Sequence, residues 1–407
     1  MCSERLIERQ KRSARVAFIF LFGVFSEGME AADYQWPTTA KPALTSSFGE
    51  YRKGGRLHAG IDLKTWGRVG YPVLAVDDGY VWRVRTSPWG YGKAVYLRLG
   101  DGRTAVYAHL SAFDPGIQSL VEADQDRRGT YSVNLFLKPE QILAHRGDTL
   151  GYSGRTGTLF PHLHFELRDE MQRPLNVLLH GFDVKDTVPP VILSLAFVPL
   201  DADARVSDQY GPHLSNVRWD EAQGCFVSAG PIPIEGRVGV AVDVFDRADD
   251  SALTNRLAPF RLRLLVDGRE VFRTTYASFG FDQVSQVDLD RNFTLQRRGI
   301  GQFHNLFRPH GNELPFYGDF SVGEGILHAS VPPSGSGVAL AKGIHRLQIV
   351  AEDVAGNRSE ADVTVVSDRR PLVLGTIAER VGDSVRVSGT VSDEDGDSLG
   401  AIFELSD

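Results

Sequence analysis

The sequence predicts an all-β protein, an antiparallel β-sheet domain followed by a β-sandwich. Three observations carry this reading. Short strand-like runs alternate with glycine turns from Ala43 to about Val184. Beyond Asp186, apolar residues recur with period two, the side-chain repeat of a half-buried strand. Helical periodicity is weak throughout, and 42 glycines with 20 prolines favour turns over helices. With 407 residues, 42% of them apolar, the chain can bury more than one core.

Taken in order, residues 1–31 come first. Arg5, Arg9, Lys11, Arg12 and Arg15 precede the apolar run from Val16 to Phe25, followed by Ser-Glu-Gly-Met-Glu-Ala-Ala. This order is that of a secretory signal peptide, with cleavage expected near Ala31. No later run is long and apolar enough to span a bilayer, so no stable membrane insertion is expected after cleavage. Cys2 would leave with the signal, and Cys225 would then have no partner, so the exported fold would rest on burial rather than disulfides. The net charge of −8, with no basic cluster in the body, excludes nucleic acid as a partner.

Residues 32–184 form the first domain. Tyr80–Arg85 and Ala94–Leu99 read as strands, and Leu99-Gly-Asp-Gly-Arg103 reverses the chain into Thr104-Ala-Val-Tyr107. The polar stretch from Asp114 to Gln141 is expected to be an inserted lobe beside the sheet. A boundary follows at Asp186-Thr-Val-Pro-Pro-Val191, where two prolines fix an extended connector. Residues 186–368 form the sandwich. Val238, Val240, Val242 and Val244 alternate with other residues, as do Leu347, Ile349 and Ala351. Asp353-Val-Ala-Gly-Asn357 then turns the chain into Ala361–Val365. Residues 369–407 are a short β-rich tail, in which Asp393-Glu-Asp-Gly-Asp397 reads as a solvated acidic turn rather than a calcium loop.

The chemistry concentrates in the first domain. His58-Ala-Gly-Ile-Asp62, Tyr107-Ala-His109-Leu110 and Pro161-His162-Leu-His164-Phe-Glu166 supply four imidazoles and carboxylates. A catalytic zinc site uses such residues: three protein ligands, one open position and nearby groups that move protons. In a strand, His162 and His164 share a face, because side chains alternate with period two. Taken singly, each motif fits an ordinary surface or core residue equally well. Trp89, Tyr91 and Tyr107 fit either a groove lining or the core, and Gly151–Gly157 fits a groove wall. His145, His180, His213, His304, His310, His328 and His345 lie outside any motif.

Six blocks in order resemble the lysostaphin-type (LytM-type) zinc metalloendopeptidases. They are Leu44-Thr-Ser-Ser-Phe-Gly49, His58–Leu63, Pro72–Gly79, Tyr107–Ser111, Gly151–Gly157 and Pro161–Glu166, covering about residues 43–177. The resemblance implies that His58, Asp62 and His164 bind one zinc ion. It also implies that His109 and His162 are the unliganded catalytic pair, and that the substrate is the peptide portion of peptidoglycan. An exported enzyme, periplasmic or secreted and associated with the cell wall, is expected. The second domain resembles an immunoglobulin-like module. Two departures from the peptidase pattern alter the groove rim: Leu159-Phe160 replaces the usual glycine before Pro-His-x-His, and the 114–141 lobe is long. The alternatives are a non-catalytic activator of other cell-wall hydrolases and a zinc peptidase of protein substrates.

Overall fold

The computed structural model describes residues 33–52, 54–252, 254–329, 335–368, 372–381 and 384–392. The signal peptide expected at 1–31 and the acidic turn expected at Asp393–Asp397 lie outside the described residues.

The first half is built on an antiparallel sheet. Its principal strands are β1 (Leu44–Ser46), β2 (Ile61–Lys64), β3 (Gly79–Thr86), β4 (Ala94–Leu99), β5 (Thr104–Ala108), β6 (Val133–Phe136) and β7 (His162–Arg168). They lie in the order β1-β2-β7-β5-β4-β3-β6. The reversal at Leu99–Arg103 joins β4 to β5 as the glycines require, closed by Leu99 N–H donating to Arg103 O at 2.9 Å. Alternation along β7 decides what the sheet presents. Leu163, Phe165 and Leu167 are fully buried on one face, which leaves His162, His164, Glu166 and Arg168 on the other.

The 114–141 segment corrects two expectations. It contains a helix, α1 (Pro115–Arg128), and then β6, which extends the sheet along β3 rather than standing apart from it. The ends of α1 follow ordinary capping rules. Asp114 Oδ1 accepts from Gly116 N–H, proline occupies the first turn, and Gly129 closes the helix at φ 62°. Its apolar stripe is thin, with Ile117 and Val121 as its buried apolar residues, so periodicity gives little sign of it.

The second half is also β. Its main strands are β8 (Val191–Pro199), β9 (His213–Asp220), β10 (Cys225–Ser228), β11 (Ile232–Phe245), β12 (Arg261–Val266), β13 (Arg269–Thr275), β14 (Gly343–Glu352) and β15 (Arg358–Ser367). The ladder runs β13-β12-β14-β15-β10-β9-β8-β11, and β11 also pairs in parallel with β15, so the path closes on itself. The period-two residues line the inside: Val238, Val240, Val242, Leu347, Ile349, Ala351, Ala361, Val363 and Val365 share one apolar cluster. The turn at 353–357 forms as its residues demand, with Asp353 Oδ1 accepting from Asn357 N–H at 2.9 Å. Short helical turns at Phe281–Gln286, Val287–Asp290 and Phe293–Arg297 fill the middle. Cys225 is buried and free. In the tail, Leu372–Val381 pairs with Ser384–Ser392 as a hairpin.

Residues from Asp33 onward form one unit, and the two halves touch extensively. Phe48, Leu57 and Ala59 belong to the same apolar cluster as the second half's inner strands. Asn176 N–H donates to Ala277 O at 2.7 Å, and Asn176 Nδ2 to Tyr276 O at 3.0 Å.

Candidate metal centre

Strand register brings the motif residues together. In the β2–β7 ladder, His164 stands directly opposite Asp62, and in the β7–β5 ladder it stands opposite Ala108, next to His109. His58 precedes β2 by one short bend. That bend needs glycine at position 60, where a Cβ would lie 2.1 Å from Phe165 O. The motif's glycine therefore lets the His58 segment press against the β7 backbone.

Three donor atoms converge. His58 Nε2 lies 3.1 Å from Asp62 Oδ1 and 3.0 Å from His164 Nδ1, and His164 Nδ1 lies 2.9 Å from Asp62 Oδ1. The outer hydrogen bonds fix the tautomers. His58 Nδ1 donates to Ser47 O at 2.7 Å, and His164 Nε2 donates to Glu166 Oε1 at 2.8 Å. Once each ring carries only that outer proton, its inner nitrogen offers a lone pair beside a carboxylate oxygen. Three electron pairs pointed at one place repel unless a proton or a metal cation lies among them. Two imidazole nitrogens and one carboxylate oxygen suit zinc, whose tetrahedral ligands lie about 3.3 Å apart. The described residues at this site therefore fit a metal ion.

The electrostatics agree. Burial opposes charge on Asp62, yet His58 and His164 hold its carboxyl well below the ordinary range. Burial also opposes charge on His164, but bonds to Asp62 and Glu166 outweigh it and raise the ring to about 9. The site demands a positive charge, and a metal ion would supply it in place of that proton.

His109 and His162 stand beside this set without joining it. Their ring centroids are 4.6 Å apart, and His109 lies 5.8 Å from His164. Each Nδ1 donates to a backbone carbonyl, His109 to Thr156 at 2.8 Å and His162 to Phe160 at 2.9 Å. Each Nε2 is therefore left as a base. Burial pushes His109 down to about 3, and repulsion by His164 and His162 adds to this. Burial likewise lowers His162. His109 is held at φ 63°, a left-handed backbone that costs energy for a residue with a side chain.

Several residues to which the motifs assign no role surround this set. Glu166 is fully buried and held at about 2, because Arg168 and His164 outweigh the effect of burial. Arg168 Nε donates to Glu166 Oε2 at 2.6 Å, and Tyr91 Oη also donates to Glu166. Arg52 Nη2 donates to Asp62 Oδ2 at 3.0 Å, leaving Oδ1 for the centre. The period of β7 is the available signal for Glu166 and Arg168, since both fall on the histidine face.

The set opens into a cleft of about 560 Å³, lined by Arg52, Tyr91, His109, Thr158, His162 and Phe281 among others. Of the three aromatics that could line a groove or fill the core, Tyr91 lines the cleft. Tyr107 is instead in the core, its hydroxyl accepting from Val76 N–H at 3.0 Å, and Trp89 is exposed at 79% and absent from the lining. Gly157 is a wall residue, as expected, and a Cβ there would lie 2.3 Å from Gly90 O. Leu159 and Phe160 are exposed just beyond it. Phe281 and Val284 come from the second half, more than a hundred residues beyond the last motif, and nothing in the sequence ties them to the site.

Comparison with known proteins finds a family match over part of this centre. Residues 56–126, which include His58, Asp62 and His109, match the model of Peptidase family M23, so the chain carries an M23 (LytM-type) peptidase domain. The DD-carboxypeptidase/endopeptidase Mpg of Neisseria meningitidis serogroup B is 35% identical over 127 residues, 30% of this chain and 23% of that protein. The murein hydrolase activator NlpD of Escherichia coli is 27% identical over 135 residues, 33% of this chain and 28% of that protein. The chain thus spans about a quarter of the length of the curated relatives it matches. Among solved structures, a zinc-containing peptidase from Vibrio cholerae is 25% identical, with 37% of each chain covered and a TM-score of 0.24.

Proposed function

We propose that this chain is an exported zinc metalloendopeptidase that hydrolyses peptide bonds in peptidoglycan cross-links or stem peptides. The observation that carries the reading is the convergence of two imidazole nitrogens and a carboxylate oxygen beside two further imidazoles that hold backbone carbonyls through Nδ1. The peptidoglycan substrate is supported by the activities for which the relatives are named, and the substrate of this chain is our inference from them.

His58 Nε2, Asp62 Oδ1 and His164 Nδ1 would hold the zinc ion. Bound there, it would polarise the scissile carbonyl and acidify a water to a pKa of about 7. The chain's own groups do the rest. Ser47 O and Glu166 lock the two ligand rings with their lone pairs inward. His162 or His109 takes a proton from the attacking water on Nε2 and returns it to the leaving amine, so the amide bond breaks with protons balanced. A positioned base of this kind contributes about 10²- to 10⁴-fold. Tyr91, whose ring packs 5.4 Å from that of His164, buttresses the ligand through Glu166.

Residues 186–368 we read as an immunoglobulin-like module, supported by the closed, mainly antiparallel ladder around one apolar interior.

Purified protein incubated with peptidoglycan should release muropeptides, and chelation should stop it. His164→Ala should lose zinc, whereas His162→Ala should keep zinc and lose most turnover. Full activity in His162→Ala would remove the proton-transfer role. Zinc binding without muropeptide release, together with stimulation of another hydrolase, would replace the enzyme by an activator.

A further inference from the structure

A second convergence of acidic groups lies away from the histidines. Asp186 sits on the connector, Asp246 directly follows β11, and Asp353 begins the turn between β14 and β15. One oxygen from each lies within 4.8 Å of the others. Three chain segments far apart in sequence bring like charges together, which costs energy unless something compensates.

No cation among the described residues does so. Asp246 is 4% exposed, and its Oδ1 is buried without a hydrogen-bond donor. Among the described residues, none of the three carboxylates forms an ion pair; nearby Lys185 is 3.0 Å from Asp249 instead. Burial and repulsion from Asp186 and Asp353 push Asp246 up to about 9, and burial pushes Asp186 up to about 6. The surroundings nevertheless hold the group in place. Asn357 Nδ2 donates to Asp353 Oδ2 at 2.8 Å and to Asp186 O at 3.2 Å, and Val188 N–H donates to Asp186 Oδ1 at 3.0 Å. Asp186 and Asp246 line a cavity of about 170 Å³ with Val184, Val354 and Ala355, which leaves space for water ligands.

We infer that Asp186, Asp246 and Asp353 form a hard divalent-cation site, best suited to calcium, that fastens the junction between the two halves. The donors are all oxygen, with no imidazole or thiolate, which favours calcium over zinc. The cavity is walled by both halves, including Leu44, Phe48 and Phe182 from the first. The loop leaving Asp246 returns to the peptidase half, where Ala258 N–H donates to Ser47 Oγ at 2.8 Å. Ser47 O is also the acceptor that orients His58. The inference does not depend on the hydrolytic reading.

Titration calorimetry of the zinc-loaded full chain with calcium chloride, in metal-stripped buffer without chelator, tests it. The expected result is about one calcium per chain and a rise in Tm of about 3 °C at a hundredfold excess over Kd. Asp246→Asn should abolish both, and should melt no lower than wild type without calcium, because the amide matches in size a carboxyl that burial already disfavours as a charge. If Asp246→Asn does not fold, Asp186→Asn on the connector provides the same test. His164→Ala should retain calcium binding. Absence of binding at calcium on the order of 10⁻³ M overturns the site. So does undiminished binding in the aspartate variant, or binding lost only in His164→Ala.

Discussion

At the scale of single residues, the candidate centre depends on which ring nitrogen carries the proton. Glu166 sets this for His164, and it is the fully buried partner of Arg168. Glu166→Gln keeps the shape but removes the charge that favours the Nε2–H tautomer. Zinc affinity is expected to fall about 10- to 100-fold, the usual effect of losing such a supporting group. Competition with a chromophoric chelator would measure it, with circular dichroism to confirm folding. Unchanged affinity would mean that Glu166 serves only the pairing with Arg168. Stability should fall as well, by about 3–5 kcal/mol, because the guanidinium is left buried without its counter-charge. Arg52→Ala should act more gently, since its guanidinium is partly exposed, is shared with Ser46 and Glu50, and meets Asp62 at its outer oxygen. The two variants therefore separate ring orientation from carboxylate orientation.

At the scale of elements, the site is the product of one register. Asp62 faces His164 across β2 and β7, and a slip by one residue would send every imidazole on β7 into the core. Gly60 protects that register. In Gly60→Ala, the methyl would meet Phe165 O at 2.1 Å, and backbone cannot yield as a side-chain tip can. We expect a loss of about 1–3 kcal/mol by thermal melting, together with reduced zinc content. A stable Gly60→Ala protein with full zinc would show that β2 and β7 can separate at no cost. The same reasoning explains what is legible in the sequence. The His-x-His alternation, the glycine turn at Leu99–Arg103 and the valine repeat of β11 are local patterns that local physics obeys. Helix α1 escapes a periodicity reading because two buried apolar side chains leave almost no trace, although Asp114-Pro115 and Gly129 punctuate its ends. Tyr107 is ambiguous in sequence because a strand residue beside a catalytic motif can face either way, and only the packed sheet decides.

At the scale of the whole molecule, the second half is part of the candidate site rather than an appendage to it. Phe48 and Leu57 of the first half are buried in the apolar cluster of the second. A fragment of residues 33–184 alone would expose them, so its expression should yield aggregated or markedly less stable protein. Sedimentation and melting against the full chain would check this. No local pattern announces the arrangement, because it arises between segments that only folding brings together. Its consequence for recognition lies at Phe281, which walls the cleft and packs its ring 4.7 Å from the Arg168 guanidinium. The ring is 42% exposed, so part of its surface is available to a bound peptide. Truncation in Phe281→Ala should leave zinc content unchanged, since it touches none of the three donors. Removing the ring forfeits about 1 kcal/mol of apolar burial against a bound peptide, so kcat/KM on muropeptides should fall about fivefold, mainly through KM. A fall in kcat at constant KM would instead mean that Phe281 acts through Arg168 and Glu166 on the ligand ring. No change in either constant would confine recognition to the peptidase half.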